Sequence, residues 1–321
     1  MLIHRPTLLV CCAFLAAMCV SFWRSDGSER LPQEHTANAV YVGLLEDDRR
    51  QLEHLGPKDP TPVANRTITP AFEKDGSEWK PVAILNQRIT WTIAFDGKKL
   101  GEVESEPSPQ VASEKVTGPT NIHSILTPAA QVPSIGKPQG RFNGNFGNPV
   151  RRPLVVVSRP YFSDPDHWTA KEPSPRAMAE VRASFRKTLR HLRQCDASGE
   201  ALKDDWKIPD SEIIVSKSYG SRKREFVIET KVLHNRCLFN VDGDDFQSLG
   251  GNQLFYVPLD HQAVFLGLQW EMLDAGDYDG DGKSEVIFYI AEGKDVDVER
   301  EGYVLFYDDF RRNARFVWEN H

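Results

Sequence analysis

Residues 277–285 read Asp277-Tyr278-Asp279-Gly280-Asp281-Gly282-Lys283-Ser284-Glu285. Carboxylates at positions 1, 3, 5 and 9 of a tight loop converge on one point, because a sharp turn directs alternate side chains inward. Gly282 at position 6 allows the bend, and the carbonyl of Lys283 at position 7 adds a further oxygen. A ligand set made only of oxygen suits a hard cation such as Ca²⁺, whereas Zn²⁺ favours nitrogen and sulfur. Asp277, Asp279, Asp281, Lys283 (through its backbone) and Glu285 are therefore the expected metal ligands. Four carboxylates this close repel one another, so the order of the loop depends on a compensating cation.

The loop must sit between two extended segments. Val286–Ile290 (VIFYI) is β-branched and aromatic, so the loop feeds a strand. Phe288 stands where a helix–loop–helix calcium site would supply a bidentate Glu, which excludes that architecture. The stretch Leu273–Phe288 (LDAGDYDGDGKSEVIF) instead resembles the calcium loop of FG-GAP and VCBS-type repeats. The resemblance implies a strand–loop–strand module that ligates Ca²⁺ through Asp277, Asp279, Asp281 and Glu285, with Lys283 binding through its backbone. It covers one copy of the loop, and no fixed-period repeat accompanies it.

Around this loop the pattern is mainly β. Segments 40–45, 79–85, 89–95 and 100–103 read as strands of a small unit over 38–103, with Asp96–Gly97 as a hairpin turn. Glu104 to Pro153 carries eight of the chain's 21 prolines, so 104–152 reads as a linker. A second β-rich unit spans 153–321, with strands at 154–158, 213–217, 225–233, 254–257, 263–270, 285–291, 303–307 and 315–318. Its one helix is expected over 175–193, with Ser174 as cap, Pro175 in the first turn and an apolar stripe of Met178, Val181, Phe185, Leu189 and Leu192. The expected fold is an antiparallel sheet or sandwich, or a partial propeller-like blade, carrying one amphipathic helix.

The chain of 321 residues has 39 Lys and Arg against 46 Asp and Glu, a formal charge of −7. That balance gives no global attraction to nucleic acid. A mean hydropathy of −0.45 excludes a polytopic membrane protein. Thr7–Trp23 is apolar, follows Arg5 and ends at the polar Arg24–Gly27. Residues 1–24 therefore read as a signal peptide, or as an anchor through residues 7–23 with the body outside the cytoplasm. In an oxidising compartment Cys195 and Cys237 can form one disulfide, separate buried thiols being the other reading.

Other polar groups have ordinary readings beside their functional ones. Asp242, Asp244 and Asp245 read as a solvated turn, and Ser163–Asp166 as turn and cap chemistry. Arg182, Arg186, Arg190 and Arg193 read as a solvent face. Histidines 123, 167, 191, 234 and 261 form no ligand pair, and the tryptophans read chiefly as core. The expected function is an exported, calcium-stabilised, non-catalytic binding or adhesion module of the cell envelope, with a polysaccharide or protein ligand. The alternative is a secreted hydrolase of an envelope or extracellular polymer. A pocket holding two carboxylates, or a carboxylate with His167 or His261, would favour that alternative.

Overall fold

The computed structural model of the chain describes residues 39–47, 65–82, 85, 87–105, 125–128, 153–160, 162–196, 198–233, 238–242, 245–248, 251–294 and 297–319. The leader expected over 1–24 and Cys237 lie outside the described residues. Cys195 is buried and disulfide-bonded. No helix among the described residues is long and apolar enough to cross a membrane.

The protein is mainly β, and every strand pairing among the described residues is antiparallel. The first sheet contains β1 (Val40–Asp47), β2 (Asn65–Asp75), β3 (Glu78–Pro81), β4 (Ile89–Phe95), β5 (Lys98–Ser105), β6 (Ile125–Pro128) and β7 (Leu154–Val157). Their order is β3-β2-β1-β7-β4-β5, with β6 also on β2. After β8 (Thr169–Ala170) come α1 (Pro175–Thr188), β9 (Leu192–Gln194), β10 (Ile213–Gly220), β11 (Phe226–Val232), β12 (Leu238–Asp242) and β13 (Asp245–Ser248). The chain closes with β14 (Gln253–Val257), β15 (Val264–Leu268), β16 (Trp270–Gly276), β17 (Glu285–Lys294), β18 (Asp297–Tyr307) and β19 (Arg312–Glu319). These make a five-stranded sheet β15-β14-β11-β10-β8, a three-stranded sheet β13-β12-β9 and a four-stranded meander β16-β17-β18-β19.

Period-two alternation stacks the sheets. In β17, Ile287 joins Val42, Phe72 and Val155 of the first sheet in one core. Its neighbours Val286, Phe288 and Ile290 face the other way, onto Val227, Leu254 and Tyr256 of the five-stranded sheet. The meander is thus buried on both faces, which is why its strands read as continuous apolar runs. The five-stranded sheet turns Phe226, Ile228, Phe255 and Val257 onto Val181 and Phe185 of α1. Ser174 Oγ accepts from Ala177 N at 3.1 Å, the capping bond expected at that position.

Four expectations need correction. Residues 38–321 form one compact unit, and β7 lies inside the first sheet between β1 and β4, so the sheet spans the expected boundary at 104–152. Within that expected linker, 125–128 forms β6 on β2. The helix ends at Thr188, not Arg193; Leu192 keeps the apolar spacing but pairs with Asn240 in a strand. The run 263–270 is two strands in different sheets, broken at Gln269, whose φ of 58° turns the chain from one layer to the next.

Phe288 is fully buried and meets Trp270, Phe306 and Phe310 with ring centroids at 6.3, 5.6 and 6.2 Å. Phe288→Ala should therefore cost about 3–5 kcal/mol of stability, read from chemical denaturation followed by far-UV circular dichroism.

Candidate metal centre

The eight-residue connection between β16 and β17 starts where Gly276 pairs with Glu285. Two glycines let the chain reverse inside it: Gly280 has φ 79° and Gly282 φ 87°. The loop's own carboxylates fix its shape. Asp277 Oδ1 accepts from Gly280 N at 2.6 Å, and Oδ2 accepts from Gly282 N at 3.1 Å. Asp279 Oδ1 accepts from Asp281 N at 2.9 Å, and Asp281 Oδ1 from Lys283 N at 2.8 Å. At the far end Glu285 Oε2 accepts from Tyr278 N at 2.7 Å, closing the turn on itself.

Asp277, Asp279 and Glu285 each bring one oxygen within 4.8 Å of the others, and this group of three can hold a metal ion. Asp277 and Glu285 are buried. Asp281 is exposed and lies outside the trio. Lys283 sends its ammonium outward to Asp308 at 3.2 Å. A cavity of about 270 Å³ bounded by Asp281, Glu285, Lys74 and Tyr307 gives the cluster an approach from solvent.

Burial sets the electrostatics. Desolvation raises the Glu285 carboxyl well above the usual range, and repulsion from Asp279, Asp281 and Asp277 adds to it, against the Tyr278 amide. Desolvation likewise raises Asp277, opposed by the amides of Gly282 and Gly280. The compensation that repelling carboxylates require comes partly from the protein: Lys74 of β2 donates to Asp279 Oδ2.

Residues just after β7 brace the loop, and spacing alone gave no sign of them. Phe162 stacks on Tyr278 with centroids 5.6 Å apart. Its ring fills the space over Gly276, where a Cβ would sit 2.2 Å from it. Asp277 N donates to Ser163 O at 2.7 Å. Ser284 Oγ donates to Asp164 Oδ1 at 2.7 Å and accepts from Asp166 N at 3.1 Å. Asp164 also accepts from His167 N and Trp168 N, so the turn chemistry expected of Ser163–Asp166 is present and holds the loop as well. The Arg159 guanidinium lies over Gly280, where a Cβ would come within 2.1 Å of Nη1.

The other candidate groups lie elsewhere. Asp242 and Asp245 are backbone register partners in the β12–β13 hairpin, and Asp244 is outside the described residues. Arg186 pairs with Asp210 and Arg193 with Asp205, as on a solvated face. Trp79, Trp91, Trp168 and Trp270 are buried.

The raised Glu285 carboxyl must lose its proton to hold a cation, so cation affinity should fall as pH drops through its folded pKa. Binding should also release protons, seen as a dependence of calorimetric heat on buffer ionisation enthalpy; Glu285→Gln should remove the Glu285 share of that release and leave the smaller one from Asp277. Without a cation the linkage has the opposite sign: the folded state binds the Glu285 proton more tightly, so this group's contribution to stability falls as pH rises above 4.5 through the raised folded value. Lys74→Met removes a positive charge from Asp279 and should tighten cation binding by about tenfold, measured by titration calorimetry.

Comparison of the chain with protein-family models, curated proteins and solved structures finds no match.

Proposed function

We propose that the 277–285 loop binds one Ca²⁺ as a structural staple of an exported, non-catalytic binding or adhesion module of the cell envelope. The observation that carries the metal assignment is the trio Asp277, Asp279 and Glu285, all-oxygen, largely desolvated and bridged by one hairpin. Hard oxygen donors with several carboxylates favour Ca²⁺ over softer ions. The Asp281 carboxylate and the Lys283 carbonyl complete the shell when the ion binds, as the resemblance to FG-GAP and VCBS-type loops implies. The ion acts as a staple because its ligands join β16 to β17 in the meander that separates two cores. The export assignment rests on the apolar segment 7–23 and on the use of cysteine.

A secreted hydrolase is the second reading. It is favoured by an open cleft whose lining includes Glu225, Asp309 and His261.

The deciding experiment is a calorimetric Ca²⁺ titration with thermal melts in Ca²⁺ and in chelator. One-site binding that raises the melting temperature, and is lost in Asp279→Ala, is the expected result. Identical melts with no binding heat would remove the calcium assignment. Release of reducing ends from envelope polysaccharide, abolished by Glu225→Gln, would establish the hydrolase instead.

A further inference from the structure

Lys74 of β2 and Asp279 of the acidic loop stand 205 positions apart in sequence, yet Lys74 Nζ donates directly to Asp279 Oδ2. The Asp279 side chain is 4% exposed and that of Lys74 17%. By contrast Lys80, Lys99, Lys223 and Lys283 meet their carboxylates at the surface, with 38–46% of each lysine exposed. Lys217 and Glu229 form another buried pair, but Lys217 is shared with Glu271, and Ser216 and Asn252 already donate to Glu229 Oε1. Among the described residues Asp279 is the one carboxylate that Lys74 meets. The surroundings are aromatic. Lys74 Nζ lies 5.7 Å from the centre of the Trp79 ring, and Tyr278, next to Asp279, is packed in one core with Trp79, Phe162 and Tyr303.

In water an ammonium and a carboxylate do not react, because both are hydrated and they meet only briefly. The fold removes both obstacles. Burial penalises the two charges and favours the amine and acid that form when the proton crosses the contact. Fixed contact gives the effective concentration of a well-oriented intramolecular reaction, roughly 10⁵–10⁸ M. The other oxygen of Asp279, Oδ1, accepts from Asp281 N at 2.9 Å, an aimed N–H that steadies negative charge as it grows there. Glu285 is buried and brings an oxygen within 4.8 Å of an Asp279 oxygen, a gap that one water bridges.

We propose that Lys74 and Asp279 condense to an amide, a covalent cross-link between the first sheet and the meander. One Nζ proton passes to Oδ2 and Nζ attacks Cγ. A second Nζ proton is relayed through Glu285 to Oδ2, and the Cγ–Oδ2 bond breaks to release water. The third proton stays on the amide nitrogen, Oδ1 becomes the amide carbonyl, and no oxidant or other reactant is consumed. The bond takes two charges out of a buried site and with them the cost of keeping them from water. It goes beyond the reading of the protein as a calcium-stapled module: it ties the loop to β2 without an ion, and Lys74 and a cation compete for one carboxylate.

The test is mass spectrometry of the purified full chain after disulfide reduction, as intact protein and as tryptic peptides. Expected are an intact mass lower by one water and a branched peptide joining Lys74 to Asp279 in tandem spectra. Lys74→Arg, which keeps the ion pair, and Asp279→Ala should each restore the full mass, with circular dichroism reporting a folded chain. Glu285→Gln should lower the cross-linked fraction by about tenfold or more; an unchanged fraction would overturn the relay. A succinimide at Asp279–Gly280 loses the same mass. Loss of water that persists in Lys74→Arg, or that hydroxylamine treatment removes, therefore overturns the proposal, as does full mass in the natural chain. Calorimetry on Lys74→Met, which cannot form the amide and keeps every carboxylate, tests the cation separately. Ca²⁺ binding by that variant with full mass in the natural chain removes the cross-link and leaves the staple; a cross-linked natural chain with no Ca²⁺ binding by Lys74→Met does the reverse.

Discussion

Two carboxylates withdrawn from water at the ends of one turn, Asp277 and Glu285, set the constraint around which this region is built. Each buried charge costs several kcal/mol unless it is met by a cation or by aimed N–H groups. The amides of Gly280, Gly282 and Tyr278 supply part of that compensation from within the turn. Distant chain adds to this: Lys74 from the first sheet places a positive charge on the neighbouring Asp279, and the brace from Phe162 to Asp166 holds the turn in place. Tyr303 OH donating to Glu46, and Arg312 to Glu78, add polar ties between the same two sheets. Carboxylates that a local motif brings together are thus made tolerable by residues that no local motif contains.

The turn and the cleft are neighbours. Both the 277–284 connection and the 308–311 turn leave the same end of the meander, where Lys283 meets Asp308. From Ser284 a bonded path runs through Asp166 and Lys223 to Asp309. Order at one end of the sheet is shared by both features, because the groups that hold the first also hold a wall of the second.

Much of the local structure was legible because period and turn chemistry are local. β4 falls on 89–95 as its alternation requires, Asp96–Gly97 turns with φ of 52° and 73°, and Ser174 caps α1. β2 was not legible: Pro70 interrupts its pattern, and it is accommodated where the register with β1 shifts beside Gly43. Partners were hidden for a different reason. The run LVVV at 154–157 reads as a buried strand, but nothing in it says that its neighbours are β1 and β4. Of the acidic loop, the convergence of Asp277, Asp279 and Glu285 and the bend at Gly282 were readable, whereas Lys74, Arg159 and Phe162 were not. The open cleft that holds Glu225, His261 and Asp309 is assembled from chain far apart in sequence, so no local pattern marks it.

The placement of β7 also fixes an order of assembly. A chain made from its N terminus presents β1, β2 and β3 as one ribbon and β4 with β5 as another, and these two ribbons do not pair with each other. They join only when residues 154–157 arrive to fill the gap. Until then two strand edges stay open, a state that is prone to self-association and that raises the mean sequence separation of native contacts. The first-made portion of this protein therefore waits on a later one, and a fragment ending before residue 154 lacks the strand that unites its own sheet.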